Sequence, residues 1–168
     1  MNKQDIQLLY KYNSWANARI LNSASRVTSE QYLASASYPH GGLRNTLVHV
    51  LFAEWIWRLR WQGESPAFRM KPEDFPTFAS LKKRWREEEK ILDAFVESLT
   101  DKKLKSTFQY KTTHGNSMEN VLWEVMAHVV NHGTQHRSEA AAMLTEMGRS
   151  PGDIDLIVFL REQKQNHI

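Results

Sequence analysis

The chain has 168 residues, 22 of them basic against 19 acidic for a formal charge of +3, and no cysteine. That length can bury one core without staples, so a single domain over residues 1–168 is expected. The missing thiols exclude disulfides, zinc ribbons and a cysteine nucleophile, and the near balance of charge lacks the clustered basic stripe of a nucleic-acid binder.

Residues 3 to about 26 place Ile6, Leu9, Tyr12, Ala16 and Ile20 at spacings of three and four, one face of an amphipathic helix. Its start is polar and carries no signal-peptide core. VTSEQY restarts the chain with Thr28 or Ser29 as cap. ASYPHGGLRN, broken by Pro39 and the Gly41-Gly42 pair, reads as a loop, with His40 a turn residue rather than a ligand. A second long helix is expected from about 43 to 62, stopped by Gly63. Its LVHVLFAEWIWRL is the most apolar stretch, yet it contains His49, Glu54 and Arg58 and falls short of the roughly 18 apolar residues of a membrane span. A soluble, cytoplasmic protein is therefore expected. Trp55, Trp57 and Trp61 on this helix cannot all face inward, which points to a homodimer.

GESPAFRMKPEDFPTF holds three prolines and has the length of a crossover between distant helix ends. A third helix follows from about 77 to 99, with Leu81, Trp85, Ile91, Leu92, Phe95 and Leu99 as its apolar face. LKSTFQYKTTHGNSM alternates around a His114-Gly115-Asn116 turn and reads as a short hairpin or extended loop. A fourth helix is expected from about 117 to 147, stopped by Gly148. Ser150 as cap and Pro151 at the first helical position then start a short fifth helix. The fold class is all-α: an antiparallel four-helix bundle with a short extra C-terminal helix and a short hairpin before the fourth long helix. Bundles build metal and cofactor sites between facing helices.

In the fourth helix Val121, Val125, His128, His132, His136, Ala140 and Met143 recur at spacings of three and four, so three imidazoles fall on the stripe expected to face inward. Each buried imidazole needs partners for two ring nitrogens, and leaving one unpaired costs about 1–3 kcal/mol. A shared metal ion would satisfy them. Positions four apart differ by about 40° around the axis and about 6 Å along it, whereas positions eight apart rise by about 12 Å. One neighbouring pair can therefore chelate, either 128/132 or 132/136. His49, in the row of Ala53 and Ile56 on the second helix, is the natural third ligand. His114 lies in a turn and His167 at the chain end, and neither is expected to bind metal.

Other metal and nucleotide signatures are missing. Gly133 stands where a zinc peptidase helix carries its glutamate, so HExxH is absent, and Glu124 precedes His128 by four rather than the three of di-iron bundles.

YNSWANARIL, LRNTLVHVLFAEWIWRLRW and HVVNHGTQHRSEAAAML resemble the DinB-like family of bacterial four-helix-bundle metalloproteins, over nearly the whole chain to SPGDIDLIVFL. The family is named for a DNA-damage-inducible member. The resemblance implies one divalent ion, such as zinc, nickel or another first-row metal, held by one histidine of the second helix and two, four apart, on the late helix. Those are His49, His132 and His136, with His128 left as a packing residue or a support to the ligands. Related proteins include transferases that add small thiols such as bacillithiol to electrophiles, and a mycothiol-dependent isomerase.

Three neutral imidazoles leave a metal with its full charge and an open position, the pattern of a catalytic rather than a structural site. The leading expectation is a metal-dependent transferase in which a small-molecule thiol is activated for attack on an electrophile. The alternative is a hydrolase that activates water on the metal. A third reading is a non-enzymatic, stress-related binding protein with a structural metal. Asp155 is a candidate to orient a ligand imidazole, or else complements a helix N-terminus. Arg137 is a candidate to bind an acidic substrate at the site mouth, or to pair on the surface with Glu139 or Glu124.

Overall fold

The computed structural model describes residues 1–165; His167 lies outside them. The chain forms α1 (Lys3–Ala24), α2 (Ser29–Leu33), α3 (Leu43–Trp61), α4 (Phe78–Ser98), α5 (Asp101–Leu104), β1 (Thr107–Lys111), β2 (Ser117–Val121), α6 (Leu122–Glu146) and α7 (Leu156–Gln165). Polar caps set several starts. Asn2, Thr28, Thr77 and Thr100 each accept the backbone N–H three residues on, at the heads of α1, α2, α4 and α5.

The four long helices pack in a ring in which α1 touches α6 and α4, and α3 touches α6 and α4. Two buried clusters fix their directions. One joins Ile20 and Leu21 late in α1, Leu43 and Leu47 early in α3, Leu81 and Trp85 early in α4, and Met143 and Leu144 late in α6. The other joins Ile6 and Tyr10, Trp61, Leu92 and Val96, and Leu122 and Met126. So α1 and α6 run one way, and α3 and α4 the other. The long segment 62–77 returns the chain from the end of α3 to the matching start of α4, which is the crossover its length implied. Among the described residues, no helix is long and apolar enough to cross a membrane.

Three local expectations are corrected. The fourth helix begins at Leu122, not near 117, because Ser117–Val121 pairs antiparallel with Thr107–Lys111 and the Leu122 N–H donates to the Ser106 carbonyl at 3.0 Å. The last helix begins at Leu156 rather than Pro151. Gly152 at φ +75° takes a left-handed turn that a helix cannot continue, and the Asp155 carbonyl accepts the first helical bonds from Val158 and Phe159. In α4, Ile91 is exposed, while Glu88 takes the buried place between Trp85 and Leu92. Glu88 stays there because Arg58 of α3 and Arg84 one turn back both bond its carboxylate, the latter at 3.1 Å.

Of the three tryptophans on α3, Trp61 is buried against Phe95, and Trp57 meets Tyr110 of the hairpin at 5.0 Å between ring centroids. Trp55 is half-buried beside Phe52 and the exposed Phe68.

Candidate metal centre

The packed faces of α3 and α6 bring His49 to His132 and His136, and the loop between α2 and α3 adds His40. His49 Nε2 lies 3.0 Å from His132 Nε2. The His136 ring stands 4.5 Å from that of His132 and 4.6 Å from that of His49, centroid to centroid. His40 stacks on His49 at 4.0 Å and meets His136 edge-on at 4.7 Å. The nitrogens of His40, His49 and His136 lie within 4.8 Å of one another, close enough to hold one ion.

Burial first, then the neighbouring imidazoles, push the pKa of His49 down to about 3 and of His132 down to about 4. The same two causes lower that of His40. His136 Nδ1 is 2.9 Å from Glu139 Oε2, one helical turn away. A carboxylate on Nδ1 fixes the proton there and leaves Nε2 as the acceptor turned toward the cluster. Clustered imidazoles are a donor set that suits first-row divalent ions, so the residues fit such a metal.

A cleft of about 420 Å³ opens beside the cluster. His40 and His49 form one wall, Val48, Phe52 and Met70 give it an apolar lining, and Asn45 and Arg69 add polar groups.

The family model for DinB matches residues 1–167. The chain belongs to the DinB family. It is also 26% identical over 164 residues to Protein DinB of Bacillus subtilis (strain 168), a match covering 94% of this chain and 95% of that protein.

In this DinB-family chain the structure brings together His49, His132 and His136, and it adds His40, which the sequence reading sets aside as a turn residue. Position in a loop carries no periodic signal, so only the fold reveals that the turn after α2 delivers His40 onto His49. Glu139 was also missed as a partner of the site, although its spacing of three from His136 puts the two side chains on one helix face.

The other candidate residues move. His128 is exposed and packs its ring 5.9 Å from Trp57. It lies off the core because the buried line of α6 runs through Leu122, Met126, Val129, Gly133, Arg137 and Leu144, with the histidine row along its flank. Asp155 is exposed at the start of α7, and the carboxylate that orients a site imidazole is that of Glu139 instead. Arg137 is neither at the mouth nor on the surface, being only 1% exposed. It points from α6 toward α1, where its Nη1 donates to Asn13 Oδ1 at 2.5 Å and Asn17 Oδ1 at 3.0 Å. Both asparagines in turn donate to Glu54 Oε1 of α3, at 2.6 and 2.9 Å. A buried cation and a buried carboxylate thus face each other through two amides. Burial raises the Glu54 pKa, and the amide hydrogen bonds and the Arg137 charge pull against that rise. The other turn histidine, His114, is exposed in the hairpin turn.

Proposed function

We propose that this protein is a metal-dependent enzyme that activates a small thiol, with one divalent ion, zinc or nickel among the first-row metals, held by His49, His132 and His136. The observation that carries the reading is the approach of imidazoles from two separate helices to the spacing of shared ligands, 3.0 Å between His49 Nε2 and His132 Nε2. When bound there, a divalent cation supplies positive charge that lowers the pKa of a thiol placed against it.

The chain's own part is to hold, orient and exclude. α3 and α6 fix the ligand rings, and Glu139 keeps the His136 proton on Nδ1. Val48, Phe52 and Met70 give the electrophile an apolar wall, and Arg69 adds a positive charge to the same cleft. With no cysteine in the chain, the sulfur arrives as substrate. Thiol transfer is favoured over hydrolysis because Glu139, the carboxylate against the cluster, is engaged by His136 and is not free to deprotonate water. The reading includes a homodimer through the half-buried Trp55 and the exposed Phe68, which light scattering on the purified protein would show as twice the chain mass.

The test is metal analysis of untagged protein, followed by conjugation of a small thiol to a model alkyl halide with wild type and His49→Ala. Near-stoichiometric metal is expected, with thiol conjugation lost in the variant while its helical circular dichroism is kept. Ester hydrolysis without any need for thiol would overturn the reading in favour of a hydrolase. Complete unfolding on metal removal, with no turnover by the loaded protein, would make the metal structural.

A further inference from the structure

We propose that His40 is a displaceable fourth ligand, carried on a loop, which gives way to a small donor molecule entering the adjoining cleft. Resting on the metal site read above, this adds a ligand outside the set of His49, His132 and His136, and with it a means of opening the site.

The ring nitrogens of His40, His49 and His136 lie within 4.8 Å of one another, His132 Nε2 lies 3.0 Å from that of His49, and the four rings are not mounted alike. His49, His132 and His136 project from α3 and α6, whose packing fixes their backbones. His40 projects from the turn between α2 and α3. That turn is closed by the Ala36 N–H to the Gly41 carbonyl at 2.7 Å and the Gly41 N–H to the Tyr38 carbonyl at 2.8 Å. Gly41 and Gly42 follow at φ +80° and +153°, conformations that side chains resist, and a Cβ on Gly42 would lie 2.4 Å from the Ala34 carbonyl oxygen. The turn is thus built to deliver His40 flat onto His49. Because no helix carries His40, its ring can swing away without disturbing α3 or α6.

Position makes that swing consequential. His40 and His49 both line the cleft, whereas His132 and His136 are not among its walls. A molecule that enters between Asn45, Phe52 and Met70 therefore meets His40 on its way to the shared point. A site with four protein ligands is closed, and one with three keeps a position for substrate. With His40 bound beside the other three, a metal here would be closed in; with His40 displaced, it would keep a position for substrate. The exchange is balanced, since the neutral imidazole leaves with its lone pair as the incoming atom brings its own.

Cobalt(II) reports ligand number through the intensity of its visible absorption. Wild type, His40→Ala and His40→Gln would be loaded with cobalt, their affinities measured by chelator competition, and 2-mercaptoethanol added as the donor probe. Helical circular dichroism of both variants guards against a folding defect. Wild type is expected to give the strong absorption of a four-coordinate ion. Both variants should absorb more weakly and bind cobalt at least about tenfold less tightly, the smallest loss seen when even an outer partner of a ligand is removed. The probe should bind the variants several-fold more tightly than wild type, because no ring has to leave first. Variants that match wild type in absorption and cobalt affinity would overturn His40 as a ligand. Probe affinity no higher in the variants than in wild type would overturn its displacement. Failure of wild type itself to bind cobalt is a different result, which removes the metal site and this inference with it.

Discussion

His49 and His132 bring their Nε2 atoms to 3.0 Å across the α3–α6 contact, although 83 positions separate them in the chain. Two nitrogens each about 2.0–2.1 Å from one zinc ion sit roughly 2.9–3.4 Å apart, so the pair already has the spacing of shared ligands. Replacing His132 with alanine is expected to weaken metal binding by about 100-fold or more, beyond what loss of a supporting partner costs. The metal-free protein should lose only about 0.5–1.5 kcal/mol, the net worth of one hydrogen bond. Chelator competition and urea unfolding would measure the two effects. A change in affinity of less than about threefold, small beside the tenfold floor for an outer partner, would remove His132 from the ligand set.

Glu139 acts through His136. Its carboxylate at 2.9 Å from Nδ1 selects the tautomer that leaves Nε2 free. Glu139→Ala is expected to lower metal affinity by about 10–100-fold without removing a ligand. Glu139→Gln retains an acceptor oxygen but not the charge, and should fall between wild type and alanine. Equal affinities in all three proteins would mean that His136 is oriented by packing alone.

The long helices were legible because each buries a repeating apolar stripe, and pattern reading needs nothing more. The histidine row on α6 was legible through its spacing of four, although spacing alone left 128/132 and 132/136 open as the chelating pair. What escaped depends on contacts between distant segments. Arg137 sits mid-line in the buried face of α6, where a charge looks impossible until Asn13 and Asn17 of α1 and Glu54 of α3 are there to receive it. Glu88 escaped for the same reason, since its buried place in α4 requires Arg58 of another helix. SMENV fits either a helix start or a strand, and pairing with β1 decides it. His40 has no periodicity to betray it.

Acid should destabilise the metal-free protein. His49 and His132 titrate at about 3 and about 4 in the folded state, against about 6.5 for a histidine in the unfolded chain. As pH falls through 6.5, the unfolded chain binds protons that the folded chain refuses. Stability is therefore complete above about 6.5 and declines toward 4, by at most about 1.4 kcal/mol per pH unit for each ring. Both rings are half-buried, so water screening makes the real slope shallower. Urea midpoints of chelated protein between pH 7 and 5 should fall, and should fall less steeply in His49→Ala. Identical slopes in the two proteins would place the acid sensitivity elsewhere.

Gly133 lies on the buried line of α6, where alanine would ordinarily stabilise a helix by about 0.8–1.0 kcal/mol. Here the sign should reverse. A Cβ at Gly133 would stand 2.7 Å from Arg137 Nη1 and 3.2 Å from Asn13 Oδ1. An exposed arginine would swing aside, but this guanidinium is enclosed and bonded to Asn13, Asn17 and Thr134. Displacing it would also leave Glu54 without its opposing charge. Gly133→Ala is therefore expected to destabilise the protein. Arg137→Ala should cost more, about 3–5 kcal/mol, as when one partner of a buried charge pair is removed. Arg137→Lys should not restore it, because one ammonium cannot reproduce a fork shared between two amide oxygens and a hydroxyl. Denaturant unfolding of the three variants gives the order directly. A Gly133→Ala protein more stable than wild type would show that Arg137 yields freely, and that the polar lattice between α1, α3 and α6 contributes little to holding the bundle.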